Sequence, residues 1–259
     1  MARKYEHIGV LTSGGDAPGM NACVRAVVRA AAPHRIRVSG IRNGLQGLID
    51  DTIIPLGPRD VSGIIHEGGT LLGTARCEAF YRKAGRRHAA DTVRAHGIDA
   101  LVIIGGDGSF RGGYALEKEC GIPFVGLPGT IDNDMVGTDY TIGFDTAVNT
   151  AVDAIDKIRD TAESHSRVFF VEVMGRHSGA IALESALAGG AEAVLIPERK
   201  TNLDRLANMI LDGREKGKRS TIVVVAEGDD AGNAYEIADA VLARTSIKSR
   251  VCVLGHIPR

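Results

Sequence analysis

The sequence lacks any marked excess of charge: 31 Lys and Arg stand against 32 Asp and Glu, a net charge of −1 over 259 residues. That balance argues against a basic nucleic-acid-binding stripe and against a membrane-surface protein, so any anion site has to be built locally. No apolar run approaches the length of a membrane span. The short apolar run near the N-terminus ends at Ser13-Gly14-Gly15-Asp16, too early for a secretory signal. Cysteine is sparse. Cys23, Cys77, Cys120 and Cys252 form no CxxC pair and have no close histidine set, which speaks against zinc and for free thiols in a reducing cytoplasm. Low-complexity segments and flexible linkers are absent too.

Glycine, by contrast, is plentiful. The 33 glycines gather at the ends of apolar runs, where a backbone turns tightly or approaches a ligand. Strands are predicted at 8–11, 38–41, 100–104, 123–127, 168–173, 193–196, 221–226 and near 251–254. Helices are predicted at 19–31, 85–96, 110–119, 146–162, 178–188, 203–215 and 234–243, the best of them with Val148, Val152, Ile155 and Ile158 at helical spacing. Apolar strands on a β-α-β rhythm imply parallel sheets covered on both faces. So many units exceed one comfortable sheet. The expected fold is two Rossmann-like, three-layer α/β lobes with mostly parallel sheets, residues 1–143 and 144–259, with the active site in the cleft between them. In open α/β sheets ligands bind beyond the carboxyl ends of the strands.

Three loops at such ends carry chemistry. Thr12-Ser13-Gly14-Gly15-Asp16-Ala17-Pro18-Gly19 leads straight into a helix, whose free N–H groups attract phosphate. It is neither a Walker A loop nor GxGxxG, and a plain strand-to-helix turn would read the same way. Gly105-Gly106-Asp107-Gly108-Ser109 leaves an unhindered carboxylate at a strand end. Mg²⁺, which takes one or two carboxylates together with phosphate oxygens and water, suits such a group; so does a helix N-cap. Pro128-Gly129-Thr130-Ile131-Asp132-Asn133-Asp134 sets two aspartates two residues apart, one suited to accept a hydroxyl proton and one to sit near a metal, unless the turn is simply acidic and solvated.

Six segments in order, LTSGGDAPGMN (11–21), GGDGS (105–109), GLPGTIDND (126–134), TDYTIGFDTA (138–147), VEVMGR (171–176) and VLGHI (253–257), resemble the motifs of bacterial-type ATP-dependent 6-phosphofructokinases. NAD kinases share only the second. The resemblance implies a phosphotransferase that moves the γ-phosphate of ATP, with Mg²⁺, to the 1-hydroxyl of fructose 6-phosphate in glycolysis. By the same resemblance the first lobe binds ATP and the second the sugar phosphate. Asp132 matches the catalytic base, with Thr130, Arg76 and Gly15 beside the transferred group. Asp107 matches the Mg²⁺ ligand, and Asp134 an acidic residue near metal and substrate. Gly15, Arg76, Gly106, Asp107, Gly108 and Ser109 match nucleotide contacts, and Cys77 stands where an aromatic is common. Substrate contacts correspond to Thr130, Ile131, Asp132, Asp134, Met174, Gly175, Arg176, Glu227, Arg250, His256 and Arg259. Arg167 matches a residue that serves a neighbouring subunit's site, which implies a homo-oligomer, a homotetramer by resemblance. Arginine forks suit a terminal phosphate.

Pyrophosphate-using relatives tend to carry Asp where this chain has Gly108 and Lys where it has Gly129, so both glycines favour ATP. Arg25, Arg29, Arg159, Glu192, Lys216 and Lys218 match effector-binding residues for ADP or phosphoenolpyruvate. Arg25 and Arg29 are four apart and share a helix face, as a solvated face would too. Pro58 stands where many members have an effector arginine. The family pattern at His256-Ile257-Pro258-Arg259 has Gln for Pro258 and continues further, completing the first lobe. Measured against that pattern, the expectation is a chain that lacks the C-terminal segment. Pyrophosphate-dependent chemistry and a non-catalytic effector-binding protomer are the alternatives.

Overall fold

A computed structural model describes residues 5–259. The chain forms two compact units. One comprises the described residues up to Thr130 together with Thr141–Gly143, the other Ile131–Tyr140 and Phe144–Arg259. The sequence division at residue 143 thus differs for one segment: 131–140 packs with the second unit.

The first unit is built on a five-stranded sheet of β1 (His7–Ser13), β2 (Arg37–Ile41), β3 (Ile53–Pro55), β4 (Ala100–Gly105) and β5 (Phe124–Pro128), in the order β3-β2-β1-β4-β5. All neighbours are parallel except β2 and β3. Val10, Leu11, Leu101, Ile103 and Ile104 are fully buried, as parallel strands covered on both faces require. Helices α1 (Met20–Ala31), α2 (Gln46–Ile49), α3 (Lys83–Ala95) and α4 (Asp107–Cys120) accompany the sheet. Met20, Val24, Val28 and Ala31 form the buried stripe of α1 at spacings of three and four. Leu11, Ile41, Leu48, Phe80, Val93, Leu101 and Leu116 meet in one core cluster. The sequence reading missed α2 and β3, whose four and three residues are too short to show a period.

The second unit holds an all-parallel sheet of β6 (Val168–Val173), β7 (Ala193–Leu195), β8 (Thr221–Ala226) and β9 (Ser249–Val253), ordered β7-β8-β6-β9. All six residues of β8 are buried. Its helices are α5 (Phe144–His165), α6 (Ala180–Ala188), α7 (Leu203–Glu215) and α8 (Ala234–Thr245). Leu206 and Ile210 of α7 and Ile237 and Val241 of α8 pack with Val223 and Val225. Among the described residues no helix is long and apolar enough to cross a membrane.

Candidate active site

In the first unit the parallel register aligns three carboxyl ends. Ser13 of β1 pairs with Gly105 of β4, and Gly105 pairs with Pro128 of β5. The three loops singled out in the sequence therefore emerge side by side. Packing is tight here: a Cβ on Gly105 would lie 2.4 Å from the Ser13 carbonyl oxygen and 2.9 Å from Ser109 Oγ. The Gly129 N–H donates to the Gly105 carbonyl at 3.0 Å, and Thr130 Cβ lies 3.7 Å from where a Cβ on Gly106 would stand. In the turn before α5, Ile142 and Gly143 donate to the carbonyls of Pro128 and Thr130 at 2.8 and 3.1 Å, which brings part of the fourth motif to the same place.

Gly14, at φ 92°, turns the chain out of β1, and its carbonyl accepts the Thr74 hydroxyl at 2.5 Å. Thr12 Oγ1 donates to the Gly73 carbonyl at 2.8 Å and meets Thr70 Oγ1 at 2.8 Å. Asn21 grips the same segment, donating to the Glu67 and Gly68 carbonyls and accepting from the Leu71 N–H at 2.6 Å. These bonds fasten residues 67–74 over the first loop and deliver the exposed Arg76 two residues beyond Thr74. The sequence reading assigned no part to Thr12, Asn21, Thr70 or Thr74; short polar side chains that lace two distant loops leave no local signature.

Gly106 caps α4 without a side-chain acceptor, so the helix N-terminus is open to an anion. Gly15 and Gly108 both face open space, with nothing within 4 Å of an added Cβ. Ser109 is buried, standing between the β1 and β4 loops. Asp107 is exposed and pairs with Arg111 at 2.8 Å. Cys77 packs against the core cluster, and burial pushes its thiol up.

Gly129 is crowded: a Cβ there would lie 2.7 Å from Ile104 Cγ2, so a side chain at this position would have to displace a core neighbour. Gly108, by contrast, is crowded by nothing.

The second unit gathers its own set beyond the carboxyl ends of β6, β8 and β9. Val173 pairs with Ala226 and Glu172 with Val253, so Met174-Gly175-Arg176, Glu227 and the 254–259 turn leave the sheet together. Gly175 at φ 142° and Arg176 at φ 52° form a bent loop, and Glu227 Oε1 accepts from both their N–H groups at 3.3 and 2.7 Å. Asp132, largely buried, faces Arg176 Nε at 4.0 Å. Asn133, at φ 50°, donates to the Asp139 carbonyl at 3.2 Å and folds the 131–140 segment onto itself. Ile131 is buried and Asp134 exposed. Asp107 and Asp134, both named for the metal, belong to different units. Arg259 donates its N–H to the His256 carbonyl at 3.2 Å.

Arg167 and Arg250 do not join this set. Arg167 precedes β6, and Arg250 is the second residue of β9, paired with Phe169. Both lie at the amino end of the sheet, so Arg250 does not flank His256 in space. The same end carries Glu192 before β7 and Lys216 and Lys218 before β8. Lys218 Nζ pairs with Glu192 Oε1 at 2.7 Å, and Glu192 Oε2 accepts the Ile222 N–H. Glu192, Lys216 and Lys218 line a cavity of about 910 Å³ with Asn208 and Asp212 of α7. Arg159, on α5, donates to the Gly189 and Gly190 carbonyls. Arg25 and Arg29 lie on α1 of the first unit.

The Phosphofructokinase family description matches residues 7–259. The ATP-dependent 6-phosphofructokinase 1 of Thermus thermophilus is 56% identical over 254 residues, which make up 98% of this chain and 79% of that protein. Among solved structures, Pichia pastoris phosphofructokinase in the T-state is 41% identical with a TM-score of 0.92, over 99% of this chain and 30% of that one. The pyrophosphate-dependent phosphofructokinase of Marinobacter aquaeolei is 26% identical with a TM-score of 0.85, over 98% of this chain and 69% of that one. With six motifs converging on two sets of strand ends and a family match over nearly its whole length, the chain belongs to the phosphofructokinase family.

Proposed function

We propose that this protein transfers the γ-phosphoryl group of MgATP to the 1-hydroxyl of fructose 6-phosphate, yielding fructose 1,6-bisphosphate and ADP. The observation that carries the reading is the register Ser13–Gly105–Pro128, which sets two glycine-rich anion loops beside the loop that leads to Asp132. Phosphoryl transfer depends mainly on positioning and on neutralising spread negative charge. The open N-terminus of α4 and the backbone at Gly14–Gly15 hold the nucleotide's phosphates, and Arg76 adds a cation. Asp107 holds Mg²⁺, whose fit rests on an exposed carboxylate flanked by glycines; bound there, the metal neutralises phosphate charge. Asp132 accepts the proton of the sugar hydroxyl, held by Arg176, and Thr130 sits beside the same oxygen. Met174, Gly175, Arg176, Glu227, His256 and Arg259 bind the sugar phosphate. Glu227 also shapes their loop through its two backbone bonds.

Arg167 and Arg250, at the other end of the sheet, serve a neighbouring protomer's sugar site in a cytoplasmic homotetramer. Glu192, Lys216, Lys218 and Arg159 take ADP or phosphoenolpyruvate as effector, and Arg25 and Arg29 of the first unit are effector contacts by the same family resemblance.

The test is fructose 1,6-bisphosphate formation by the purified chain with ATP or with pyrophosphate. Turnover with ATP and little with pyrophosphate is expected, and the reverse preference would sink the donor assignment. Asp132→Asn should lower kcat by about 10²–10⁴-fold while ATP still binds. A folded, active Asp132→Asn variant would remove Asp132 from the mechanism, and a folded chain that binds ADP without turnover would favour an effector-binding protomer.

A further inference from the structure

Arg111 takes no part in the reading above, yet it sits on the carboxylate that the reading needs. Its Nε lies 2.8 Å from Asp107 Oδ2, one helical turn along α4. Both side chains are largely in solvent, at 80% and 57% exposure, so the pair is weak and exchangeable. The surface beside it is bare, because Gly108 has nothing within 4 Å of an added Cβ. A guanidinium and a divalent cation compete for the same carboxylate oxygens.

We propose that Arg111 is the resident counter-ion of Asp107, displaced when the metal arrives, and therefore a positioning residue for metal loading. It weakens Asp107 toward bare metal, which favours metal delivered together with phosphate oxygens. The inference rests on the reading of Asp107 as the metal ligand.

The test titrates the intact protein with Mn²⁺ alone, without nucleotide, followed by electron paramagnetic resonance. Arg111→Gln should bind Mn²⁺ about two- to three-fold more tightly than the parent, the size expected from releasing an exposed i,i+4 pair. Arg111→Lys, which keeps the charge, should stay near the parent, and Asp107→Asn should lose the site. Unchanged or weaker Mn²⁺ binding by Arg111→Gln, with Asp107→Asn still abolishing it, overturns the proposal and leaves the role of Asp107 standing. Mn²⁺ binding that survives Asp107→Asn overturns both.

Discussion

Single residues at the strand ends separate into those the fold demands and those it leaves open to a ligand. Gly108 and Gly129 make the contrast. Gly108→Asp meets no neighbour and adds an acidic residue to the first turn of α4, where the helix dipole favours it. Its thermal midpoint should stay near that of the parent while its KM for ATP rises, as steady-state kinetics and calorimetry on the same sample would record. An unchanged KM would remove Gly108 from the donor site. Gly129→Ala must instead push on Ile104, fully buried, and should cost about 1–3 kcal/mol of stability, visible as a lower denaturation midpoint. Gly228 is tighter still, since an added Cβ would stand 1.8 Å from the Arg176 carbonyl oxygen. Gly228→Ala should therefore displace the Met174–Arg176 loop and raise KM for the sugar phosphate more than for ATP.

Helix placement shows how elements hold these loops. The N-terminus of α8 is capped by Asn233, whose side chain accepts from Tyr235 and Glu236 N–H at 3.0 and 3.1 Å, while Glu236 returns the bond to the Asn233 N–H. Glu172 of β6 adds an acceptor for the Ala234 N–H at 2.7 Å, tying the helix to the strand that leads into Met174. Asn233→Ala should cost about 1 kcal/mol, read from a urea unfolding midpoint. No change at all would mean that Glu172 alone suffices to hold the helix end. In the first unit, α3 and α4 are joined by Arg86, which makes a bidentate pair with Glu119 at 2.8 and 2.9 Å and donates to the Phe80 carbonyl at 2.7 Å. That pairing holds the Glu119 carboxyl below its ordinary range and fixes the turn following Arg76 and Cys77.

For the molecule as a whole, pH acts through a buried histidine. His7, the first residue of β1, has Nδ1 3.1 Å from the Gly97 carbonyl and Nε2 2.8 Å from Ser39 Oγ. A carbonyl only accepts, so Nδ1 donates to it; in the neutral ring Nε2 then accepts the Ser39 hydroxyl. Burial, and then the nearby Arg37, lower its pKa below the ordinary 6.5. The unfolded chain therefore takes up the proton first as pH falls, and stability declines as pH drops below about 6.5 toward the native value. His7→Gln, which does not titrate, should flatten this part of the dependence of the unfolding midpoint on pH. An equal slope in both proteins would place the pH dependence elsewhere.

Most of the fold was legible in sequence because it rests on local periods. The apolar runs 100–104 and 221–226 and the helical spacing through Val148, Val152 and Ile155 are dictated by burial, and the structure keeps them. The three strand-end loops were legible as well, because glycines and aspartates gather where apolar runs stop. What the chain could not show locally was partnership across distance. The antiparallel β3, the lacing of residues 67–74 by Thr12 and Asn21, the allegiance of 131–140 to the second unit and the pairing of Arg111 with Asp107 depend on which backbones meet. So does the division of the arginines: Arg176 and Arg250 read alike in sequence, and only the direction of β6 and β9 sets them at opposite ends of one sheet. Residue type and spacing determined the elements and their chemistry. Strand register, a property of hydrogen bonding between distant segments, decided which of those groups meet.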